Sequence, residues 1–342
     1  MASDPDTGGS RGPHIVVAGA GAVGCFSGGL LAAAGRRVTL LGRPAVLTPI
    51  NAQGALRLTD YTGLDLVVAA DNLALSDDPV CLGAADLVLV TVKSGATAGI
   101  ASEIARHAPA HAPVVSLQNG VDNRAMLADA LPGRDVRAGM VPFNVIPKAP
   151  AHFHRATSGD IRIGAGPGGL SAWLSAPHLK VGQTPDIDAV QWGKLLVNLA
   201  NALNALSGLT LHEQLLNRDW RRLMADQMAE ALTVLRAQGL RAVSTTPLPV
   251  WTTPHILRLP TPVFRRLAAS MLTIDATART SMAYDLMARR KTEIDALQGR
   301  IVAMGAAAGV ATPIAAAVLA AMRDAEAEEG PRRPRAPQDL RR

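Results

Sequence analysis

The chain has 342 residues, which is room for two domains with cores of their own, and a 48% hydrophobic, 18% charged composition excludes a disordered polymer or a collagen-like fibre. The formal charge of +6 does not point to nucleic acid: Pro331 to Arg342 hold five arginines against one aspartate, so the rest is close to neutral, and 3% aromatics leave little for base stacking. Cys25 and Cys81 form neither a disulfide framework nor a metal-ligand spacing, so no metal is expected and a reducing cytoplasm is the default location.

Residues 1–13 contain two aspartates and no apolar run, and read as a disordered lead-in rather than a signal peptide. Over 14–183 short β-rich runs alternate with Ala-rich helical ones: His14 to Ala18, Val38 to Leu41, Asp86 to Val92 and Pro113 to Leu117. This spacing predicts βαβ units and a parallel sheet. Ala55 to Leu58 and Leu64 to Val68 flank Asp60-Tyr61-Thr62-Gly63, predicting a hairpin inserted into that sheet. His152 to Arg155 and Ile161 to Ile163 around Ser158-Gly159 predict a second hairpin.

From 184 to 330 the pattern becomes helical, in Asp186 to Leu206, Arg218 to Gly239 and Arg279 to Met322. Ser244 to Pro262, with five prolines, reads as a surface loop. Ile301 to Met322 carries no charge and is long enough to span a membrane, but Thr312-Pro313 divides it with a helix start, so two buried helices are predicted and no membrane partner. Residues 331–342 read as a disordered basic tail.

Gly19-Ala20-Gly21-Ala22-Val23-Gly24 follows the first strand and opens an Ala-rich helix, the setting in which this spacing binds a dinucleotide. The first glycine permits the turn, the second lets backbone approach the diphosphate, and the third lets helix pack on strand. The second strand ends in Leu41-Gly42-Arg43-Pro44, with no acid for the ribose hydroxyls; an arginine there suits a 2′-phosphate, favouring NADP(H) over NAD.

Five lysines stand against 29 arginines, which singles out Lys93, at the carboxyl edge of a strand, and Lys194. At 100° per residue, Lys194, Asn198 and Asn201 share one helix face, opposite Leu195, Leu196, Leu199, Leu203 and Leu206. Asparagine is a poor helix former, so an amide stripe beside an ammonium favours a ligand-facing surface over a merely solvated one. Ser281 and Glu293 taken alone read as helix starts, Glu293 behind a Thr292 N-cap.

GAGAVG at 19–24, VTVKS at 90–94, QNG at 118–120, KLLVN at 194–198, SM at 281–282 and TEID at 292–295 together resemble the ketopantoate reductase family, the NADPH-dependent 2-dehydropantoate 2-reductases, over about residues 14–325. The resemblance implies an α/β fold of an N-terminal Rossmann domain and a C-terminal all-α domain, with the active site in the cleft. It implies Lys194 as proton donor to the substrate carbonyl, Glu293 as the acid beside cofactor and substrate, and Asn198 and Ser281 as substrate contacts; Asn119 and, from the amide stripe, Asn201 are expected to contact the substrate with them. Asn119 and Lys93 match positions near the nicotinamide and the adenine-side ribose phosphate, and Val145, beside Asn144, a backbone contact to the cofactor. Ala202 and Ala278 stand where the family has asparagines, which bears on the identity of the 2-keto acid more than on the reaction. The expectations are NADPH-dependent reduction of a 2-keto acid, ketopantoate first, in a homodimer. The alternatives are a β-hydroxyacid or imine-forming dehydrogenase of similar plan, and a non-catalytic NADP-binding sensor.

Overall fold

The structure is a computed structural model describing residues 12–244, 248–272, 277–330 and 333–341. Twelve strands are described: β1 His14–Ala18, β2 Arg37–Leu41, β3 Ala55–Asp60, β4 Asp65–Ala69, β5 Ala74–Ser76, β6 Leu87–Val90, β7 Val114–Ser116, β8 Val136–Met140, β9 Val145–Ala149, β10 His152–Arg155, β11 Ile161–Gly164 and β12 Val181–Thr184. The main sheet runs β12-β11-β8-β7-β6-β1-β2-β5 and is parallel from β8 to β5. This is the doubly wound order, with helices α1 Ala22–Ala33, α2 Pro44–Gln53, α3 Thr97–His107, α4 Asn123–Ala130 and α5 Leu170–Leu174 interspersed.

The apolar run of β1 is buried on both faces, as parallel strands require. Ile15 and Val17 join the core under α1, whereas Val16 and Ala18 join the core under α3 and α4. A second sheet, β4-β3-β10-β9, covers α1 from outside, and small residues allow the close approach: a Cβ on Gly28 would meet Leu40 and one on Gly29 would meet Leu56 and Leu58.

Both hairpin expectations need correction. Strands β3 and β4 do form an antiparallel hairpin, but it belongs to the second sheet, because Leu56 and Leu58 bury against α1 and β5 takes the edge beside β2. Strands β10 and β11 do not pair at all: β10 lies between β3 and β9, and β11 between β8 and β12. The turn at Gly159, with φ of +125° against Pro142, carries the chain from one sheet to the other.

Beyond β12 the described elements are helical: α6 Ile187–Asn198, α7 Ala200–Ser207, α8 Leu211–Leu216, α9 Arg218–Ala237, α10 Thr253–Arg258, α11 Thr261–Leu267, α12 Ser281–Met287, α13 Arg300–Ala308 and α14 Pro313–Ala327. Their core gathers Trp192, Leu196, Leu203, Leu223, Ile301 and Met322. The expected helix over 186–206 is interrupted at Leu199, whose carbonyl accepts 2.8 Å from the buried Gln298 Nε2. Gln298 lies on a π-turn, Asp295–Gly299, separated from Glu293 by Ile294 alone.

The uncharged stretch 301–322 is divided between α13 and α14 as predicted, and among the described residues no helix is long and apolar enough to cross a membrane. Thr312 does not cap α14 with its side chain; Glu230 of α9 does, accepting from the amides of Ile314 and Ala315.

The Pro-rich segment is not a plain loop. Residues 245–247 lie outside the described residues, but Pro254 and Pro262 fall in the first turns of α10 and α11, where a missing N–H costs nothing. The tail also differs from expectation over 333–341. Leu340 is buried in the helical core, Arg341 pairs with Asp226 at 2.6 Å, Arg335 pairs with Glu328 at 3.1 Å, and the Arg335 amide donates to the Leu206 carbonyl. One apolar anchor and two acids on the helices dock a segment whose charge run resembles a solvated one. Residues 1–11, 331–332 and 342 of the expected lead-in and tail lie outside the described residues.

Candidate active site between the two domains

The glycine loop fits a dinucleotide on its own geometry. Gly19 has φ of +120°, and a Cβ there would lie 2.5 Å from the Val92 amide nitrogen. At Gly24 a Cβ would fall 2.2 Å from the Gly19 carbonyl, so helix α1 can approach the turn only without a side chain. A Cβ on Gly21 would meet nothing within 4 Å: the second glycine faces open space at the N-terminus of α1, where unpaired amides and the helix dipole suit a diphosphate. Ala20, Ala22 and Val23 complete this loop. Arg43 is exposed just past β2, as the N-cap residue of α2.

Strand order β6-β1-β2 places Arg43 on one side of the glycine loop and Lys93 on the other. The Lys93 ammonium reaches the helical domain, 2.7 Å from Asp285 Oδ2 and donating to the Lys291 carbonyl at 2.9 Å. Ser94 follows: its amide donates to Glu293 Oε1 at 3.2 Å, and its hydroxyl, 3.2 Å from the same oxygen, donates to the Asn119 carbonyl at 2.6 Å. Asn119 Nδ2 donates to Glu293 Oε2 at 2.8 Å, while Asn119 Oδ1 accepts from Asn198 Nδ2 at 3.3 Å. Glu293, Asn119 and Asn198 thus form a polar chain across the cleft, at the carboxyl ends of β6 and β7.

Lys194 stands one turn before Asn198 on α6 and reaches the other domain, its Nζ donating to the Pro142 carbonyl at 3.0 Å. Burial is the cause of its altered basicity: the ammonium is brought down from the usual 10.5 to about 8. An enclosed lysine near neutrality is suited to giving up a proton.

The structure joins Asn198, Asn119 and Glu293 directly, with Lys194 one turn before Asn198 and bonded to Pro142. Asn201 and Ser281 are linked by backbone, since Thr280 Oγ1 donates to the Asn201 carbonyl and Ser281 begins α12. Val145 begins β9 in the second sheet, packed against the Rossmann core. Ala202 is fully buried among the helical leucines, and the buried polar residue nearby is Asn204, whose amide joins Gln214, the Leu209 carbonyl and the Thr280 amide. Ala278 offers its carbonyl to the Leu211 amide.

Several contributors escape a sequence reading. Asn123 Nδ2 donates to the Asn119 carbonyl at 2.6 Å and to Ser94 Oγ at 3.1 Å, and Thr97 Oγ1 donates to Asn123 Oδ1 at 2.7 Å and accepts from Gln118 Nε2 at 2.7 Å. This buried network braces the Asn119–Gly120 turn, where Gly120 has φ of +87°. Ser94 and Asn123 sit beside residues the sequence already singles out, which is the available signal. The Pro142 carbonyl has none, because any residue carries that group.

A glycine loop of dinucleotide-binding geometry, and a half-buried lysine bonded from the helical half to the Rossmann half, suit an oxidoreductase of the doubly wound class. Comparison with known proteins narrows this. Residues 15–168 match the family described as ketopantoate reductase PanE/ApbA, and residues 186–326 match its C-terminal counterpart. A 2-dehydropantoate 2-reductase of Halobacterium salinarum is 28% identical over 310 residues, covering 88% of this chain and 95% of that protein. A crystal structure of a PanE/ApbA family ketopantoate reductase from Ralstonia eutropha JMP134 is 31% identical with a TM-score of 0.77, covering 92% of this chain and 98% of that one. The fold also matches D-mandelate dehydrogenase in complex with NADH and anilino(oxo)acetate, at 20% identity and a TM-score of 0.74, covering 92% and 98% of the two chains. The chain belongs to the ketopantoate reductase family, and it is an enzyme of the oxidoreductase class with a Rossmann domain followed by a helical one.

Proposed function

We propose that the protein reduces a 2-keto acid to the 2-hydroxy acid with NADPH, with ketopantoate as the substrate to test first. The observation that carries this reading is Lys194, half-buried on α6 and bonded across the domain contact to Pro142, one turn before the Asn198 that joins the Asn119–Glu293 pair. The bound nicotinamide supplies the hydride. Lys194 then acts at the carbonyl oxygen, where its ammonium stabilises the growing negative charge and delivers the proton. A pKa of about 8 makes that transfer easier than from an ordinary lysine.

Asn198 and Ser281 orient the keto acid, with Asn201 on α7, just past the interruption at Leu199. Asn119 stands between Asn198 and Glu293, so a shift in one carboxylate is felt at the substrate amides. Gly19, Gly21 and Gly24 shape the diphosphate cradle and Val145 lends backbone near the cofactor. Exposed Arg43, with Lys93 on the other side of the loop, supports NADPH over NADH. A homodimer assembled through the helical domain and a cytoplasmic location belong to the same reading, and sedimentation velocity tests the first.

The experiment is NADPH oxidation by purified protein with ketopantoate and a panel of branched and bulkier 2-keto acids, with NADH in parallel. Rapid turnover of ketopantoate with NADPH is the expected result. Cofactor binding with no turnover of any keto acid sinks the catalytic reading. Turnover of another keto acid alone assigns the substrate shift to Ala202 and Ala278.

A further inference from the structure

Glu326 lies near the end of α14, well away in sequence from every residue assigned above, yet its carboxylate is only 6% exposed. Its Oε1 accepts from both the Thr292 amide, at 2.8 Å, and the Thr292 hydroxyl, at 2.6 Å. Its Oε2 faces the exposed Lys291 ammonium at 3.1 Å. Burial alone would raise this carboxyl, but the Thr292 hydroxyl and amide and the Lys291 ammonium outweigh it and hold Glu326 below the usual carboxylate range.

Thr292 immediately precedes Glu293, and residues 290–292 belong to no helix or strand. The segment therefore lacks a ladder of its own to fix it. Its anchors on the N-terminal side of Glu293 are Arg290, whose amide donates to the Asp285 carbonyl at 2.8 Å and whose Nε lies 3.3 Å from Asp285 Oδ1, the Lys93 contact to the Lys291 carbonyl, and, next to Glu293 itself, the Glu326 carboxylate. From there Glu293 reaches into the other domain, to Ser94 and Asn119.

We propose that Glu326 is a positioning residue: through Thr292 it sets the Glu293 carboxylate, and through Glu293 it holds the Ser94 and Asn119 loops of the Rossmann domain against the helical domain. Its role in turnover rests on the catalytic reading above; its role in joining the domains does not. Because one oxygen, Oε1, takes both Thr292 donors, a glutamine can reproduce those two bonds and gives up the pair with Lys291, whose ammonium end is exposed to water and screened.

The test has two arms, so that failure of one reading is separable from failure of the other. In ligand-free protein, hydrogen exchange at the Ser94 amide reports the bond to Glu293 across the cleft. Glu326→Ala is expected to speed that exchange at least about ten-fold, and Glu326→Gln to leave it near wild type. A purely local structural role would loosen 290–294 without reaching Ser94.

In turnover, Glu326→Ala is expected to lower kcat/KM at least about ten-fold with Glu326→Gln near wild type, and to cause no further loss in a Glu293→Ala background. Where Glu326→Ala does not fold, Thr292→Val removes the hydroxyl donor alone and is expected to shift the same two readouts less. Unchanged Ser94 exchange in folded Glu326→Ala or Thr292→Val overturns the proposal, as does an equal loss of kcat/KM in the presence and absence of Glu293. Changed exchange with no keto acid turned over by any form keeps Glu326 as the domain-joining residue and removes the catalytic reading instead.

Discussion

Asn119 and Glu293 meet across the domain cleft at 2.8 Å, an amide from the end of a parallel strand against a carboxylate from the helical domain. Since Asn119 also accepts from Asn198, neither domain alone contains a finished site. Gln118, Thr97 and Asn123 stiffen the Rossmann side of this contact, and Glu326 the helical side.

Lys194→Ala is expected to lower kcat by roughly 100- to 10,000-fold, the usual range for a lost general acid, while NADPH affinity stays within about two-fold. The glycine loop and Arg43 lie on other elements, which is why cofactor binding is spared. Steady-state kinetics with a fluorescence titration of NADPH checks both halves, and normal turnover in the variant would remove Lys194 from the mechanism.

Reduction should weaken as pH rises through about 8, because the proton Lys194 must give is lost there. The same group carries a stability signature. Its folded pKa lies below the unfolded 10.5, so the cost of burying the charge is fully present below about pH 8 and fades as pH rises towards 10.5. Lys194→Met should therefore stabilise the fold by on the order of 2 kcal/mol at pH 7, with the gain shrinking in alkali. Urea unfolding of both proteins at several pH values reads this out, and a gain that persists unchanged in alkali contradicts it.

Arg43→Ala should weaken NADPH by about 10- to 100-fold and leave NADH nearly untouched, since only the former carries the 2′-phosphate. Titration of both cofactors against both proteins decides it. Equal losses would mean that Arg43 does not read the phosphate.

The glycines of the loop should separate by function. Gly24→Ala drives a Cβ to within 2.2 Å of a backbone oxygen and should cost at least about 2 kcal/mol of stability. Gly21→Ala meets open space, so the fold should tolerate it while cofactor affinity falls at least about ten-fold. Thermal melts with and without NADPH distinguish the two substitutions.

Leu340→Ala should destabilise the helical domain by about 2 kcal/mol, although only two residues follow it in the sequence. A change within about 0.5 kcal/mol in chemical denaturation would show that the docked tail contributes nothing.

The amino-acid sequence by itself determined the βαβ alternation, the glycine loop, the helical second half and the division of 301–322 at Thr312-Pro313. These are local signals: period, capping residues and conformationally special glycines act over a few neighbours. It also singled out Lys194, Asn198, Asn119 and Glu293, by scarcity, by an amide stripe and by resemblance. What only the tertiary structure decided is who meets whom. Whether β10 pairs with β11 or β3, whether an arginine-rich tail is solvated or docked on Asp226, and which carboxylate caps α14 all depend on partners tens or hundreds of residues away. The cleft is the extreme case: Glu293 read locally as a first-turn acid, and its bonds to Ser94 and Asn119 exist only because packing brings the two domains together.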